Sequence, residues 1–476
     1  MYKKEFVGDI SMTVDLFIAH IKEKVEQFFS GINEQHYIKH VSHLDADGLS
    51  SAAIIVDLLF KQGRTFTTTI MPTLDQDTVQ TIFNDKYTHY IFTDFGSGQL
   101  SLLHKYLADK RVLILDHHDV EQFDIPDTWI HINPKMFNVD GNKEISGAGV
   151  AYLAAAAQKQ KLPHLALLGA LGDVQGADGF VGPNQMILEE AKNKGMIMQK
   201  ESLKYFGIAR RPLAYLIEYS DDIYVPGFSK VKGGGLKLLN DVGIHNELGG
   251  KEILMHDLSE VEYKRLVQAI THLRKDEEKP DDIFQECYLL QTEHAPVKDL
   301  KEFATLLNAC GRMKKYAIGI GACLGDVSFK ELALAVEKAY KQKISESLRW
   351  YSSHEHEKGE GYLLINGTGA VSSTVIGTVA SIVARKVEYG TFIVALSRTD
   401  DGATTKVSVR RAGDVEDCNL NELVRSWCTG FPSQAGGHIA AAGAVFASEH
   451  ETEFLDIVRK HFGKNDTAKV LAADVL

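Results

Sequence analysis

Between Gln35 and about Gly195 the chain alternates short β-branched or apolar runs with stretches of helical periodicity. Residues 37–41, 65–70, 90–93 and 112–115 read as strands, and residues 49–60, 97–107, 149–158 and 185–193 as helices. Strands that alternate with helices predict a parallel sheet covered on both faces. In such sheets ligands gather at the carboxyl ends of the strands. Every run except 65–70 ends near polar residues: Ser42-His43-Leu44-Asp45, Thr93-Asp94 and Asp116-His117-His118.

The pattern changes at Arg211. Residues 211–296 hold four of the ten prolines, the Gly233-Gly234-Gly235 run and acidic stretches such as 276–282. They read as an inserted subdomain after a first domain of residues 1–210. A connector, 297–353, follows. Within it Phe329, Leu332, Val336, Tyr340, Ile344 and Leu348 recur at spacings of three and four, which predicts one long amphipathic helix. The stretch His354-Glu355-His356-Glu357-Lys358-Gly359-Glu360-Gly361 reads as a solvated hinge. A fresh alternation over 362–365, 392–396 and 406–410 then predicts a second, smaller α/β domain, residues 354–476. The fold class is thus α/β, with a parallel-sheet N-terminal domain, an insertion, a connector helix and a C-terminal domain.

The 476 residues carry a formal charge of −12, which excludes a uniformly basic nucleic-acid-coating protein and makes any nucleic-acid site a local one. The five cysteines are scattered and never spaced as CxxC, so they read as reduced thiols rather than a disulfide or zinc framework. No apolar run has the length of a signal peptide or membrane span. These features predict a soluble, cytoplasmic protein without a membrane partner.

Four segments carry chemistry. In His43-Leu44-Asp45-Ala46-Asp47-Gly48, at a strand end running into a helix, three ligand types at alternate positions would share one side of an extended backbone, and Gly48 would allow a sharp turn. The competing reading is a helix cap made by Asp47. Asp94, alone after a strand, is by itself an ordinary turn residue. In Leu115-Asp116-His117-His118-Asp119 two adjacent histidines lie between aspartates, a poor core sequence; neighbours on a strand point apart, so the two rings should differ in role. Asp173 closes the apolar segment 168–172, where an unpaired carboxylate is costly to bury. Together Asp45, Asp47, Asp94, Asp173, His43, His117 and His118 form an oxygen and imidazole donor set without thiolates. Such a set suits Mn²⁺ or Mg²⁺, is too large for one ion, and fits two ions serving phosphoryl transfer.

This succession resembles the DHH phosphoesterase superfamily. Asn308-Ala309-Cys310-Gly311-Arg312 is similar to the Asn-Ala-x-Gly-Arg element of RecJ nucleases. Lys406-Val407-Ser408-Val409-Arg410 is similar to their Ser-x-Arg strand, and Gly436-Gly437-His438-Ile439-Ala440-Ala441-Ala442-Gly443 to the signature of the DHHA1 domain. The resemblance covers most of the chain except 211–296. The insertion and the Glu302–Asn308 stretch further resemble archaeal RecJ-like exonucleases, some of which partner the replication factor GINS.

The resemblance implies that His43 and Asp45 bind one Mn²⁺ (or Mg²⁺), that Asp47, His117 and Asp173 bind another, and that Asp94 bridges them. It implies that His118 faces the scissile phosphate and that Asp116 orients His117. Asn308, Arg312, Ser408, Arg410, Gly436, Gly437 and His438 would contact substrate, the glycine pair as a phosphate nest at the start of a small-residue helix. The implied activity is removal of nucleotides from an end of single-stranded DNA or RNA, in the cleft between the domains, with GINS or another replication or repair protein as a partner through 211–296. Runners-up are a hydrolase of short oligonucleotides or cyclic dinucleotides and a catalytically silent replication scaffold. Weaker candidates are His354 and His356 as surface ligands, a phosphate-touching loop at Lys230, Lys232 and Lys237 (better read as mobile), and Trp350, Tyr351 and Phe431 as either base-stacking or core residues.

Overall fold

The computed structural model describes residues 10–176, 179–293, 297–413, 418–463 and 468–471. The chain forms two compact units, Met1–Leu334 and Ala335–Leu476.

In the first unit α1 (Ile10–Ser30) precedes β1 (Tyr37–His43), α2 (Ala46–Lys61), β2 (Thr65–Met71), α3 (Gln76–Ile82), β3 (His89–Thr93), α4 (Leu100–Leu107), β4 (Arg111–Leu115) and β5 (Trp129–Ile132). The five strands make one parallel sheet in the order β2-β1-β3-β4-β5. Helices α5 (Gly147–Ala157), α6 (Pro163–Gly172) and α7 (Gly182–Asn193) follow. The parallel prediction holds because the central strands are apolar on both faces: every residue of β3 is buried. One core gathers Tyr90, Phe92, Leu103, Val112 and Ile114, each large side chain contributing roughly 1.5–3 kcal/mol on burial. Ser42 pairs with Thr93, and Thr93 with Leu115. His43, Asp94 and Asp116 therefore leave three neighbouring strands at the same edge, where the strand order changes direction between β1 and β3.

Next come β6 (Ile197–Leu203), α8 (Leu213–Tyr219), α9 (Gly234–Asp241), the short β7 (Glu247–Leu248) and β8 (Lys251–Glu252), α10 (Glu260–Leu273) and β9 (Phe284–Leu290). β6 and β9 pair antiparallel from Ile197↔Leu290 to Leu203↔Phe284. Above this stem Leu213, Leu216, Ile217, Leu238, Leu266 and Ile270 close a separate core. The glycine run is not a mobile loop: it opens α9, and Gly235 lies against the Ala214 carbonyl, where a Cβ would stand 1.9 Å from the oxygen. After β9, α11 (Leu300–Arg312) and α12 (Tyr316–Cys323) lead into α13 (Val327–Ser353), the long helix that the periodicity predicts. Its Leu332 is 49% exposed, so the apolar stripe is not buried along its whole length.

The second unit contains β10 (Glu355–Gly359), β11 (Tyr362–Asn366), α14 (Ile376–Ala384), β12 (Phe392–Arg398), β13 (Thr404–Arg411), α15 (Leu420–Trp427), β14 (Ser433–His438), β15 (Ala441–Ala447), α16 (Glu451–Phe462) and β16 (Ala468–Leu471). Its sheet runs β14-β15-β13-β12-β11-β10-β16, with only β11 and β12 parallel. Alternate residues feed opposite faces: Leu364 and Val394 pack toward α15 and α16, Leu363 and Ile393 toward α14.

Two expectations are corrected here, and one open alternative is settled. Residues 355–359 are a strand, not a solvated hinge, and His356 is buried with its Nε2 2.9 Å from the Tyr351 carbonyl oxygen. Tyr351 and Phe431 are core residues. Gly436 and Gly437 do not start a helix; they lie in β14, paired with Gly443 and Ala442 of β15. Residues so small satisfy helical and strand patterns alike, and the pairing of β15 with β13 decides between them. Among the described residues no helix is long and apolar enough to cross a membrane.

Candidate metal centre

His43 ends β1, and the chain turns at once into α2 with Asp45 as its N-cap: the Gly48 N–H donates to Asp45 Oδ1 at 3.0 Å. Asp47 sits in the first helical turn. The ligand-bearing segment is thus a strand end, a cap and a helix turn, not one extended run, and the cap is Asp45 rather than Asp47. Gly48 is required by space rather than by a special φ, since a Cβ there would meet the His43 carbonyl oxygen at 2.2 Å. Below the turn, Ser42 Oγ donates to the Gly48 carbonyl (2.7 Å) and receives a hydrogen bond from Thr93 Oγ1 (2.7 Å). Thr93 also meets Nε2 of the fully buried His40. This polar seam ties the ends of β1 and β3 together.

Asp94 holds a left-handed conformation (φ 63°), sparsely populated by non-glycine residues. Its N–H donates to the Leu115 carbonyl (2.9 Å), and both carboxylate oxygens are buried without a hydrogen-bond partner. Oδ2 lies 3.5 Å from His43 Nδ1 and Oδ1 lies 3.3 Å from His117 Nε2. Three groups of donors converge, His43–Asp45–Asp94, Asp47–Asp94–His117–Asp173 and Asp94–Asp116–His117–His118, and Asp94 belongs to all three.

His117 Nδ1 lies 2.6 Å from the Gly141 carbonyl oxygen. A carbonyl only accepts, so Nδ1 carries a proton, and Nε2 faces Asp94, Asp173 (3.3 Å) and Asp47 (3.7 Å); against the cost of burial, Asp173 and Asp47 raise the pKa of this ring. Asp116, which the family resemblance assigned to His117, instead holds His118: Oδ1 is 2.8 Å from His118 Nδ1 and also accepts the His117 N–H, while Oδ2 accepts the Ser97 N–H. Both histidines lie beyond the end of β4 with their rings 4.3 Å apart; the Gly141 carbonyl takes His117 Nδ1, which leaves Asp116 to His118. Asp116, although a member of the third donor group, already spends its oxygens on these bonds.

The residues around Asp47 were not legible in sequence. Ser146 Oγ, the Gly147 N–H and the Ala148 N–H donate to its two oxygens at 2.7, 2.6 and 2.9 Å. The carboxylate therefore rests on the N-terminus of α5, where the helix dipole favours negative charge. Asp173 has the opposite setting. It is the C-cap of α6, where the dipole opposes a carboxylate, and burial followed by the charge of Asp47 raises its pKa well above the usual range. Burial, then Asp47 and Asp45, does the same to Asp94. Against the cost of burial, Asp45 and Asp94 hold the His43 pKa up, and Asp116 holds up that of His118. Adjacent buried carboxylates, a dipole opposing one of them, and orphaned atoms on Asp94 and His117 (Nε2) describe a site short of positive charge, which the contact of His43 Nδ1 with Asp45 Oδ2 (2.9 Å) relieves only in part. Hard divalent cations with oxygen and imidazole ligands fit it.

Of the other sequence candidates, Asn308 Oδ1 accepts the Ala46 N–H (2.9 Å), and Gly311 packs α11 against the Leu44 carbonyl, so this element braces the ligand-bearing turn. Arg312 ends α11, half-buried. In the second unit Ser408 and Arg410 lie two apart on β13. Arg410 Nε donates to Ser381 Oγ on α14 (2.9 Å) and Nη1 to the Val409 carbonyl (2.8 Å). The side chain of His438 lies outside the described residues.

Residues 37–172 match the DHH family, N-terminal domain, and residues 361–464 the DHHA1 domain. An uncharacterised protein of Methanocaldococcus jannaschii is 29% identical over 452 residues, 93% of this chain and 96% of its own. Among solved structures, RecJ from Thermus thermophilus in complex with Mn²⁺ is similar over 94% of this chain at 15% identity and a TM-score of 0.54. This chain spans 55% of that protein. CDC45 from Entamoeba histolytica is similar over 95% of this chain and 99% of its own, at 11% identity and a TM-score of 0.58. The strand order, the donor groups at the sheet edge and the two domain matches together make this chain a member of the DHH/DHHA1 superfamily with the RecJ-like fold.

Proposed function

We propose that the protein is a metal-dependent phosphodiesterase that removes nucleotides from an end of single-stranded DNA or RNA. The observation that carries this reading is Asp94, whose two orphaned oxygens face two separate donor groups beside His118. In it His43 and Asp45 hold one divalent ion, Mn²⁺ or Mg²⁺, Asp47, His117 and Asp173 hold the second, and Asp94 serves both. Ions held there supply Lewis acidity toward a phosphate and make water acidic enough to attack near neutral pH. His118, kept protonated by Asp116, places a positive N–H where charge develops on a phosphoryl or leaving oxygen. Gly141 fixes the His117 tautomer, and the α5 N-terminus fixes Asp47. Arg312, Ser408, Arg410, Gly436, Gly437 and His438 hold substrate phosphates; Asn308 works through the turn it braces.

The second reading, a hydrolase of short oligonucleotides or cyclic dinucleotides, uses the same centre. The silent-scaffold reading is disfavoured because every donor is in place, including the orphaned ones. The insertion, with its own core and a stem separate from the donor groups, supports a role in strand or protein contact within a cytoplasmic replication or repair setting. Rates on an end-labelled 30-mer and on a dinucleotide separate the first two readings: processive loss of mononucleotides from the 30-mer supports the exonuclease, and cleavage confined to the dinucleotide contradicts it.

A further inference from the structure

β4 stops at Leu115, and the last backbone bond between it and the β5 side runs from the Asp116 N–H to the Ile132 carbonyl (3.2 Å). His117 and His118 lie beyond that bond, outside any strand. The His118 side chain is 37% exposed, so packing alone does not set its ring. Hydrogen bonds must do so.

Those bonds meet at one residue that follows β5. Asn133 is fully buried. Its Oδ1 accepts the Lys135 N–H (3.0 Å) as the cap of the turn 134–137, which leaves Nδ2 as the donor. Nδ2 lies 2.9 Å from the His118 carbonyl oxygen and 2.9 Å from Ser97 Oγ, so its two hydrogens serve both. The Ser97 N–H in turn donates to Asp116 Oδ2 (2.8 Å), and the Ser97 hydroxyl meets Nε2 of the buried His131 (2.8 Å). Asp116 Oδ1 then accepts the His118 N–H (3.2 Å) and meets His118 Nδ1 (2.8 Å). The His118 carbonyl thus depends on Asn133 directly, and its N–H and ring depend on it through Ser97 and Asp116. None of these bonds reaches His43, Asp45, Asp47, Asp94 or Asp173.

We propose that Asn133 is a positioning residue for His118. Its amide takes over where strand pairing ends and fixes where the imidazole meets a substrate oxygen. The inference rests on the reading of His118 as the group that faces developing charge on the phosphate.

The test is Asn133→Ser, which keeps an oxygen able to cap the turn but is too short to reach the His118 carbonyl. On a chromogenic phosphodiester with saturating Mn²⁺ it should lower kcat by about 10- to 100-fold, with KM and calorimetric Mn²⁺ affinity within about threefold of wild type. In a His118→Ala background the same substitution should change kcat by less than about threefold, because the ring it acts through is gone. Ser97→Ala, which keeps the N–H to Asp116, takes its place with the same expected pattern if thermal melting shows Asn133→Ser to be unfolded. A second readout needs no activity. The ring Cε1–H resonance of His118 in Mg²⁺-containing protein, assigned by its loss in His118→Ala, should shift in the variant while that of His117 stays. An unmoved His118 resonance, an unchanged kcat, an equal kcat loss in both backgrounds, or a parallel loss of Mn²⁺ affinity overturns the proposal. A wild type without phosphodiesterase activity overturns the proposed function instead, and the resonance then decides the role of Asn133.

Discussion

Gly147 stands against Asp94 so closely that a Cβ on it would lie 2.6 Å from the Asp94 Oδ1 atom, and its N–H holds Asp47 Oδ2 at 2.6 Å. One residue thus positions a carboxylate of the second donor group by a hydrogen bond and makes room for the shared one by having no side chain. Gly147→Ala should displace Asp94 while leaving α5 intact. Overpacking of this kind costs about 1–3 kcal/mol of stability, and a displacement near 1 Å at the reacting centre costs on the order of 100-fold in rate. Thermal melting and kcat on an oligonucleotide check both; a folded Gly147→Ala with wild-type kcat contradicts this reading.

His118 and Asp116 should titrate as a unit. Burial opposes the imidazolium, and the Asp116 carboxylate 2.8 Å away outweighs burial, so the His118 pKa is raised. If protonated His118 is the active form, activity falls as pH rises through that raised pKa. Asp116→Asn removes the charge, lowers the His118 pKa and moves this alkaline limb to lower pH. His118→Ala should abolish the limb and lower kcat by about 10²–10⁴-fold. The kcat–pH profiles of the three proteins on a chromogenic phosphodiester decide the matter; an unmoved limb in Asp116→Asn contradicts it.

Metal binding should release protons. Asp94 and Asp173 have pKa values well above the usual carboxylate range, from burial first and then from the Asp47 charge. Without a cation they keep protons that free aspartates would have lost, and a cation displaces them. Mn²⁺ affinity should therefore climb with pH until both are ionised. Calorimetry of Mn²⁺ binding in buffers of different ionisation enthalpy counts the protons; identical apparent enthalpies in all buffers contradict the expectation.

The insertion should be removable at its stem. β6 and β9 pair along seven residues, and the core above them is self-contained. A cut there removes the Ala209 N–H and the Arg210 guanidinium that hold the buried Glu302 of α11, so it is combined with Glu302→Leu. Replacing residues 204–283 with a short Gly-Ser turn in this way should leave a folded protein that still cleaves a chromogenic phosphodiester at a rate within about threefold of wild type, since the donor groups are untouched. Loss of that activity in a folded deletion places the insertion in the catalytic machinery. A cut at 211–296 would instead remove β9 and strand β6.

Much of this centre was legible because its donors are chemically conspicuous and lie at strand ends, where the alternation of elements says a site belongs. His43, Asp45, Asp47, Asp94, His117 and Asp173 all stand out by residue type and position, and the structure gathers them. What sequence could not supply were groups whose role comes from packing alone. Ser146, Gly147 and Ala148 look like an ordinary helix start, and the Gly141 carbonyl is chemically anonymous. Asp116 was given the wrong histidine because sequence adjacency does not tell which ring folds back. The second unit misled for a different reason: in β10 polar residues fill both faces, so no two-residue period shows, and in β14 and β15 the side chains are too small to reveal one.

The claim that joins these results is that Asp94 organises a divalent-metal centre for phosphodiester hydrolysis. The most direct measurement is release of mononucleotides from an end-labelled single strand by wild-type protein and by Asp94→Asn, each with Mn²⁺, after chelation, and after Mn²⁺ is restored. The account predicts hydrolysis by the wild type that chelation abolishes and Mn²⁺ restores, and at least about a 1,000-fold loss in folded Asp94→Asn whenever Mn²⁺ is present. Hydrolysis that survives exhaustive chelation, or that persists near the wild-type rate in Asp94→Asn, would contradict it.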